Sequence, residues 1–325
     1  MIWILQSARH LAAASLCALP LTLFAQTWPV KPVRVIVPFP PGATLDIMTR
    51  LVMQKAAEST GQPFVVENRA GANGQIGSEF VARSAPDGYT ILATTTSTHI
   101  SAPFLVKKLP YDPHKDVTPI TAAVDAVTVL AVNPAMPVNS AKELVDYAKK
   151  FPGKVSYGSA GIGNAFHLIG EMFQSSQGVS LLHVPYKGIV QAVQETATGQ
   201  VNMVFSAVNN VLPLMKSNKL RVLAVLNPQR WSQLPDVPTT AETLTGFIRP
   251  DSWFGFLGPA NMPGPVLARV NGELVKALKA PDLAPKFDAM GVIVIANNPQ
   301  EFLQMYMAGF EVYGKIIKAA GIQPE

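Results

Sequence analysis

Strand, small-residue loop, helix N-terminus: this order occurs twice, at 37–46 and at 157–167, and the chain must adopt a fold that houses both units. The first unit lies in VRVIVPFPPGATLDIMTR, residues 33–50. Val33, Val35 and Val37, with Ile36 between them, form a β-branched run that favours a buried strand. Pro38 ends the run and FPPGAT turns the chain. An amphipathic helix is expected over Asp46–Thr60, with Thr44 as its cap and Asp46 in its first turn. Free backbone N–H groups collect at such a helix start and can hold an anion. The same order also serves an ordinary βα connection without a ligand. The spacing is neither G-x-G-x-x-G nor G-K-[ST], so no nucleotide fingerprint is present.

The pattern continues as βαβαβ. Phe64–Glu67 reads as a strand, Asn68–Gly74 as a turn, Gln75–Ser84 as a helix and Tyr89–Ala93 as a third strand, which favours a mostly parallel sheet. Hydroxyls crowd the end of that third strand: Thr95, Thr96 and Ser97 either bind a ligand beyond the carboxyl edge or cap the next turn. Residues 109–120 read as a loop and Val127–Val132 as a strand. Ser140 with Glu143 forms a capping box for the next helix.

A second series then replicates the first. Val155–Tyr157 is a strand, Gly158–Asn164 a Gly-rich loop and Ala165–Ser176 a helix with Phe166 and His167 in its first turns. Strands at Leu181–Val184, Val201–Phe205 and Leu220–Leu226 flank a helix at Ile189–Thr198. Two α/β lobes facing each other would offer a ligand two positive helix ends. Trp253–Leu257 reads as a strand near a hinge, Val266–Leu278 and Gln300–Ala320 as helices, and Val292–Ile295 as a terminal strand, so the C-terminal part is expected to return to the first lobe.

Composition excludes several classes. With 325 residues, 48% apolar and 14% charged, the chain is a folded globular protein of two domains or one large one. Arg9 and His10 precede the apolar run LAAASLCALPLTLFA, which reads as a secretory signal peptide cleaved near Ala25. That run is short of the ~20 residues a membrane span needs. Its removal takes away Cys17, the one cysteine, and with it any disulfide or thiol chemistry. Lys and Arg number 26 against 21 Asp and Glu, without a dense basic tract, so nucleic acid is not an expected partner. The five histidines form no H-E-x-x-H and no metal spacing. Ser159 lies in Gly158-Ser159-Ala160-Gly161, which is not G-x-S-x-G because Tyr157 holds the first position. A meeting of Ser159 with His167 in space is the remaining route to an α/β hydrolase-like enzyme. His167 serves either as a ligand donor or as a cap or packing residue, and His183 as a satisfied sheet histidine.

Taken in order, WPVKPVRVIVPFPPGATLDIMTR, VVENRAGANGQIGSEFVARSAPDGYT, LPYDPHKDVTPI, SYGSAGIGNAFHLIGEMF, VPYKG, LRVLAV and WFGFLGPANMPGPV resemble the periplasmic receptors of tripartite tricarboxylate transporters, the Bug family. The resemblance runs from Trp28 to Gly321. It implies an α/β, two-lobed periplasmic-binding-protein fold of type II, with mixed sheets flanked by helices. It divides the chain into a signal peptide (1–25), the first part of lobe 1 (26–125), lobe 2 (126–249) and a return segment to lobe 1 (250–325). It also implies a small carboxylate ligand, delivery to a two-subunit membrane permease, a monomer, no cofactor and no catalysis. A receptor that senses ligand and signals is the alternative within the same fold.

Carried onto this chain, the first ligand loop is Phe39, Pro40, Pro41, Gly42, Ala43, Thr44 and Asp46. The opposite wall is Ser159, Ala160, Gly161, Gly163, Asn164 and His167, with Thr95, Thr96 and Ser97 beside the first loop and Phe205 and Ser206 beside the second. Two positions depart from the family pattern. Pro41 stands where a glycine is usual and donates no N–H. Ser206 stands where many members have Asp, which removes a partner for a ligand ammonium and turns the expectation toward an acid without an amine. Phe39, Phe166 and Phe205 either line an apolar slot for an aromatic acid or belong to the core.

Overall fold

The computed structural model describes residues 28–324, so the leader and its cleavage point lie outside the described residues. The chain builds β1 (Val33–Val37), β2 (Phe64–Asn68), β3 (Thr90–Thr95) and β4 (Val117–Ala126). It then passes through Val127 into a second sheet made of β5 (Thr128–Val132), β6 (Val155–Ser159), β7 (Leu181–Pro185), β8 (Met203–Ala207) and β9 (Arg221–Val225). It returns to the first sheet with β10 (Trp253–Pro259) and β11 (Val292–Val294). The sheet orders are β2-β1-β3-β10-β4-β11 and β7-β6-β8-β5-β9. β1 pairs in parallel with β2 and β3, and β6 does the same with β7 and β8. β10, β11, β5 and β9 run antiparallel to their neighbours, so both sheets are mixed, where the sequence favoured a mostly parallel one.

The main helices are α1 (Thr44–Thr60), α2 (Gln75–Ala82), α3 (Ala141–Lys150), α4 (Ala165–Gln177), α5 (Ile189–Thr198), α6 (Val208–Lys216), α7 (Gly264–Leu278), α8 (Ala284–Ala289) and α9 (Pro299–Ala319), with short helical turns at Ala72–Gly74, Ser97–Ser101, Ala102–Leu105 and Thr240–Thr243. Each sheet is covered on both faces, which is why its strands read as nearly continuous apolar runs. Val33, Val35 and Val37 pack under α1 and α7, while Ile36 faces α2 and α9. In the second sheet α3 and α4 cover one face and α5 and α6 the other. Leu168 of α4 is fully buried in a cluster with Ile316 and Ile317 of α9, which ties the second lobe to the first. Burying such a side chain contributes about 1.5–3 kcal/mol. Among the described residues no helix is long and apolar enough to cross a membrane.

Several local expectations change. α1 begins at Thr44 with Ala43 at the cap position, so Thr44 is the first helical residue and caps nothing. The Ser140 hydroxyl accepts from Glu143 N–H, but the Glu143 carboxylate reaches Asn139 N–H instead of closing the box. Residues 117–126, read in part as loop, form β4, the neighbour of both β10 and β11.

Two connections join the sheets, at 126–128 and between β9 and β10, and one carboxylate ties them together. Asp125 accepts from the Arg249 guanidinium, from Asn227 Nδ2 (2.8 Å) and from Ser252 N–H (3.2 Å). Asn227, just past β9, also accepts from Thr128 N–H at 2.9 Å.

Candidate ligand site

Strand orders 2-1-3 and 7-6-8 are the same arrangement, and each contains a switch point, between β1 and β3 and between β6 and β8, where successive connections leave in opposite directions. Crevices form outside the carboxyl ends of strands at such points. The predicted residues lie along or just past these strands: 39–46 after β1, Thr95–Ser97 at and just after the end of β3, 159–167 from the end of β6 into α4, and Phe205–Ser206 in β8. The first two groups are neighbours because β1 pairs with β3, and the last two because β6 pairs with β8. The lobes touch where Leu105 meets Gly163, whose β-carbon would lie 3.1 Å from Leu105 Cδ2.

In the first loop Pro40, Pro41 and Gly42 are exposed and Thr44 is half-buried. Gly42 has φ 85°, the left-handed turn that a β-carbon would strain. Asp46 sits beneath the loop. Its buried carboxylate accepts from Gly42 N–H (2.9 Å), Asn68 Nδ2 (2.8 Å) and Arg50 Nε (3.1 Å). Burial pushes this carboxyl up, but the hydrogen bonds from Arg50, Gly42 and Asn68 outweigh it and hold it below the usual range. Asp46 therefore anchors the loop and has its donors within the protein. Asn68 also holds the loop through Phe39 O at 3.0 Å. The first N–H groups of α1, on Thr44 and Leu45, are left free by helix geometry.

At β3, Thr95 Oγ1 meets Thr98 Oγ1 at 3.3 Å, buried Thr96 donates to Trp253 O at 3.1 Å, and Ser97 is exposed. Gly74, in the turn after β2, lies under this group: a β-carbon there would sit 3.0 Å from Thr98 and 3.5 Å from Phe39 Cζ.

In the second lobe, Asn164 caps α4 by accepting from Phe166 N–H at 3.0 Å. Buried His167 accepts from Gly163 N–H through Nδ1 at 3.0 Å. Ser159 is fully buried, and the imidazole on its Oγ is that of His183, at 2.6 Å. The sequence leaves a meeting of Ser159 with His167 open and reads His183 as a satisfied sheet histidine; the structure puts His183, not His167, on the Ser159 hydroxyl. The signal was in the register: Tyr157 pairs with His183 across β6 and β7, two residues before Ser159. The His167 and His183 rings stack with centroids 4.0 Å apart. Burial lowers both, His183 to about 4, so both rings are neutral at pH 7. Phe205 is fully buried between Tyr157 and Phe173, so it belongs to the core and not to an apolar slot. Ser206 is buried as well and receives Asn210 Nδ2 at 3.2 Å. Phe39 and Phe166 are half-buried, each packed against the core of its lobe.

The family described as "Tripartite tricarboxylate transporter family receptor" matches residues 48–322. The chain belongs to this family. The receptor is 35% identical over 292 residues to a UPF0065 protein of Pseudomonas sp. (strain P51), covering 89% of this chain and 86% of that one. It is similar to a solved structure of a periplasmic transporter, at 38% identity and TM-score 0.73, over 91% and 99% of the two chains. It is also similar to an R. palustris protein solved with adipate, at 31% identity and TM-score 0.75, over 92% and 100%. The receptor is thus a solute-binding protein of the periplasmic kind, in a family of small-carboxylate receptors, with an α/β fold of mixed sheets flanked by helices.

Ser159 is closed off from solvent, and its histidine partner has no carboxylate hydrogen-bonded to it among the described residues. Among those residues, no three His, Cys, Asp or Glu side chains are grouped so as to hold a metal ion.

Proposed function

We propose that the receptor closes its two lobes on a small carboxylate that carries no amine, and that it passes this ligand to a two-subunit permease. The observation that carries the reading is the neutrality of the loop set: Asp46 spends its charge on Arg50, Asn68 and Gly42, and position 206 is a serine. An ammonium would find no free acid in these loops. A carboxylate would find the first N–H groups of α1 and the Ala165 N–H of α4, at equivalent places in the two lobes, and the hydroxyls of Thr44 and Ser97. Hydrogen bonds to a charged group contribute ~1.5–3 kcal/mol each. A few of them, less ordering costs, reach micromolar affinity, about −8 kcal/mol. The reading places residues 26–125 and 250–325 in the first lobe and 126–249 in the second. It also takes the receptor to be a monomeric, non-catalytic periplasmic protein whose leader is cut near Ala25.

A thermal-shift panel on residues 26–325 tests it, with aliphatic di- and tricarboxylates, aromatic acids, amino acids and matched amides. A ligand that binds only the folded state raises the melting temperature. A shift with an acid, none with its amide and none with its α-amino analogue supports the reading. An amino acid that shifts the protein as much as its deaminated analogue overturns it.

A further inference from the structure

The loop between β6 and α4 has little regular structure to hold its shape. Gly161 and Gly163 adopt φ values of 112° and 75°, conformations glycine tolerates but does not enforce. Backbone bonds from Asn164 N–H to Gly161 O (3.3 Å) and from Tyr186 N–H to Ser159 O (3.0 Å) fix its two ends. Two further anchors reach its interior, and both end on an imidazole. Gly161 N–H donates to Ser159 Oγ (3.1 Å), which is bonded to His183 Nε2 (2.6 Å). Gly163 N–H donates to His167 Nδ1 (3.0 Å).

The rings hold each other. His167 and His183 stack within 18° of parallel, and Tyr157 lies against His183 at 4.9 Å. The Tyr157 hydroxyl donates to Glu171 Oε1 at 2.8 Å, and that oxygen is 3.6 Å from His167 Nε2. Because His167 Nδ1 accepts from Gly163, its proton is on Nε2, toward Glu171. Beside the pair is a cavity of ≈ 520 Å³ lined by Leu105, Ile162 and residues 320–324. Stacking and the two hydrogen bonds hold the rings where they are.

We infer that His183, acting through Ser159 and through the stacked ring of His167, is the positioning residue of the second-lobe loop, holding Gly161 and Gly163 in the shape that receives the ligand. The inference rests on the reading of residues 159–163 as one wall of the carboxylate site. His183 itself need not touch the ligand.

Two variants separate positioning from packing. His183→Phe keeps a ring in the stack and loses the bond to Ser159. His183→Gln loses the ring but keeps a polar group at the place of Nε2. The first readout is the amide spectrum of the ligand-free full receptor. The Gly161 resonance is expected to move in His183→Phe, which loses the Ser159 bond, and to return close to its wild-type position in His183→Gln, whereas the Gly163 resonance stays in place in His183→Phe and moves in His183→Gln, which loses the stack, with His167 Nδ1 showing the unprotonated shift in the wild type. The second readout is calorimetry with adipate as probe: affinity falls about tenfold or more in His183→Phe and recovers to within about threefold in His183→Gln. Unmoved loop amides with unchanged adipate affinity in His183→Phe overturn the inference. If adipate fails to bind even the wild type, the ligand assignment is at fault, and the ligand-free amide shifts still decide the positioning role.

Discussion

Asp125 offers a test of how the two sheets are joined. Replacing it by alanine removes the acceptor shared by Arg249, Asn227 and Ser252. The Arg249 side chain is 3% exposed, and its Nε is buried without a partner even in the intact protein. After Asp125→Ala the guanidinium keeps only its Nη1 bond to Pro250 O at 3.0 Å. A buried charge stripped of its partner costs about 3–5 kcal/mol. The reverse change is gentler. In Arg249→Met the carboxylate keeps the Asn227 and Ser252 donors and loses one charge-assisted bond, about 1.5–3 kcal/mol. Denaturant unfolding followed by tryptophan fluorescence reads both. The expected order is Asp125→Ala worse than Arg249→Met, by ~1–3 kcal/mol at unchanged slope. An Arg249→Met variant as unstable as Asp125→Ala, or an Asp125→Ala variant within about 1 kcal/mol of wild type, would show that the pair is solvated and that the reasoning fails.

Three further outcomes are expected. Stability falls with acid: burial lowers His99 to about 3 and His183 to about 4, so the unfolded chain binds more protons than the native one from pH ~6.5 down to those values. The slope near pH 5 is about 1.4 kcal/mol per pH unit for the fully buried His99, with a smaller, solvent-screened share from the part-exposed His183, partly offset by Asp251, whose pKa burial raises. His99→Asn, which keeps a group at Thr94 Oγ1, is expected to reduce that slope in pH-dependent melting. Gly170→Ala puts a β-carbon 2.4 Å from Tyr157 Cε2, so despite a helix-propensity gain of about 1 kcal/mol it destabilises by ~1–3 kcal/mol in thermal unfolding. Thr44→Val removes a hydroxyl at the first turn of α1 and is expected to weaken carboxylate binding about tenfold by calorimetry, with the melting temperature nearly unchanged.

Much of the fold was readable where side-chain pattern and burial agree. β1, β2, β5 and β10 carry the Val, Ile and aromatic residues that a covered sheet demands, and α4 and α9 end at Gly178 and Gly321. β4 was read in part as loop because Pro119, Ala122 and Ala123 dilute its strand signal, and its pairing with β10 outweighs that propensity. α6 went unread because it carries Pro213 inside, which forfeits one helix hydrogen bond that a short, packed helix survives. The site loops were legible as positions, but the roles within them depend on neighbours far along the chain. Asp46 is an anchor because Asn68 reaches it from β2, Phe205 is core because Tyr157 and Phe173 enclose it, and Ser159 meets His183 because β7 lies beside β6.

The place of β10 has a consequence for assembly. It lies between β3 and β4, yet is made after every strand of the second sheet. The second sheet can pair its strands as soon as Val225 is available, whereas the first stays in two pieces until Trp253–Pro259 arrives. Until then β3 lacks its outer neighbour and β4 lacks both of its neighbours. Bare edges of this kind template misassociation. The long closure also places slow, non-local pairing at the end of the process. The lobe whose sequence starts first is therefore the one that finishes last, and the receptor depends on its C-terminal strands to hide the edges that its N-terminal strands expose.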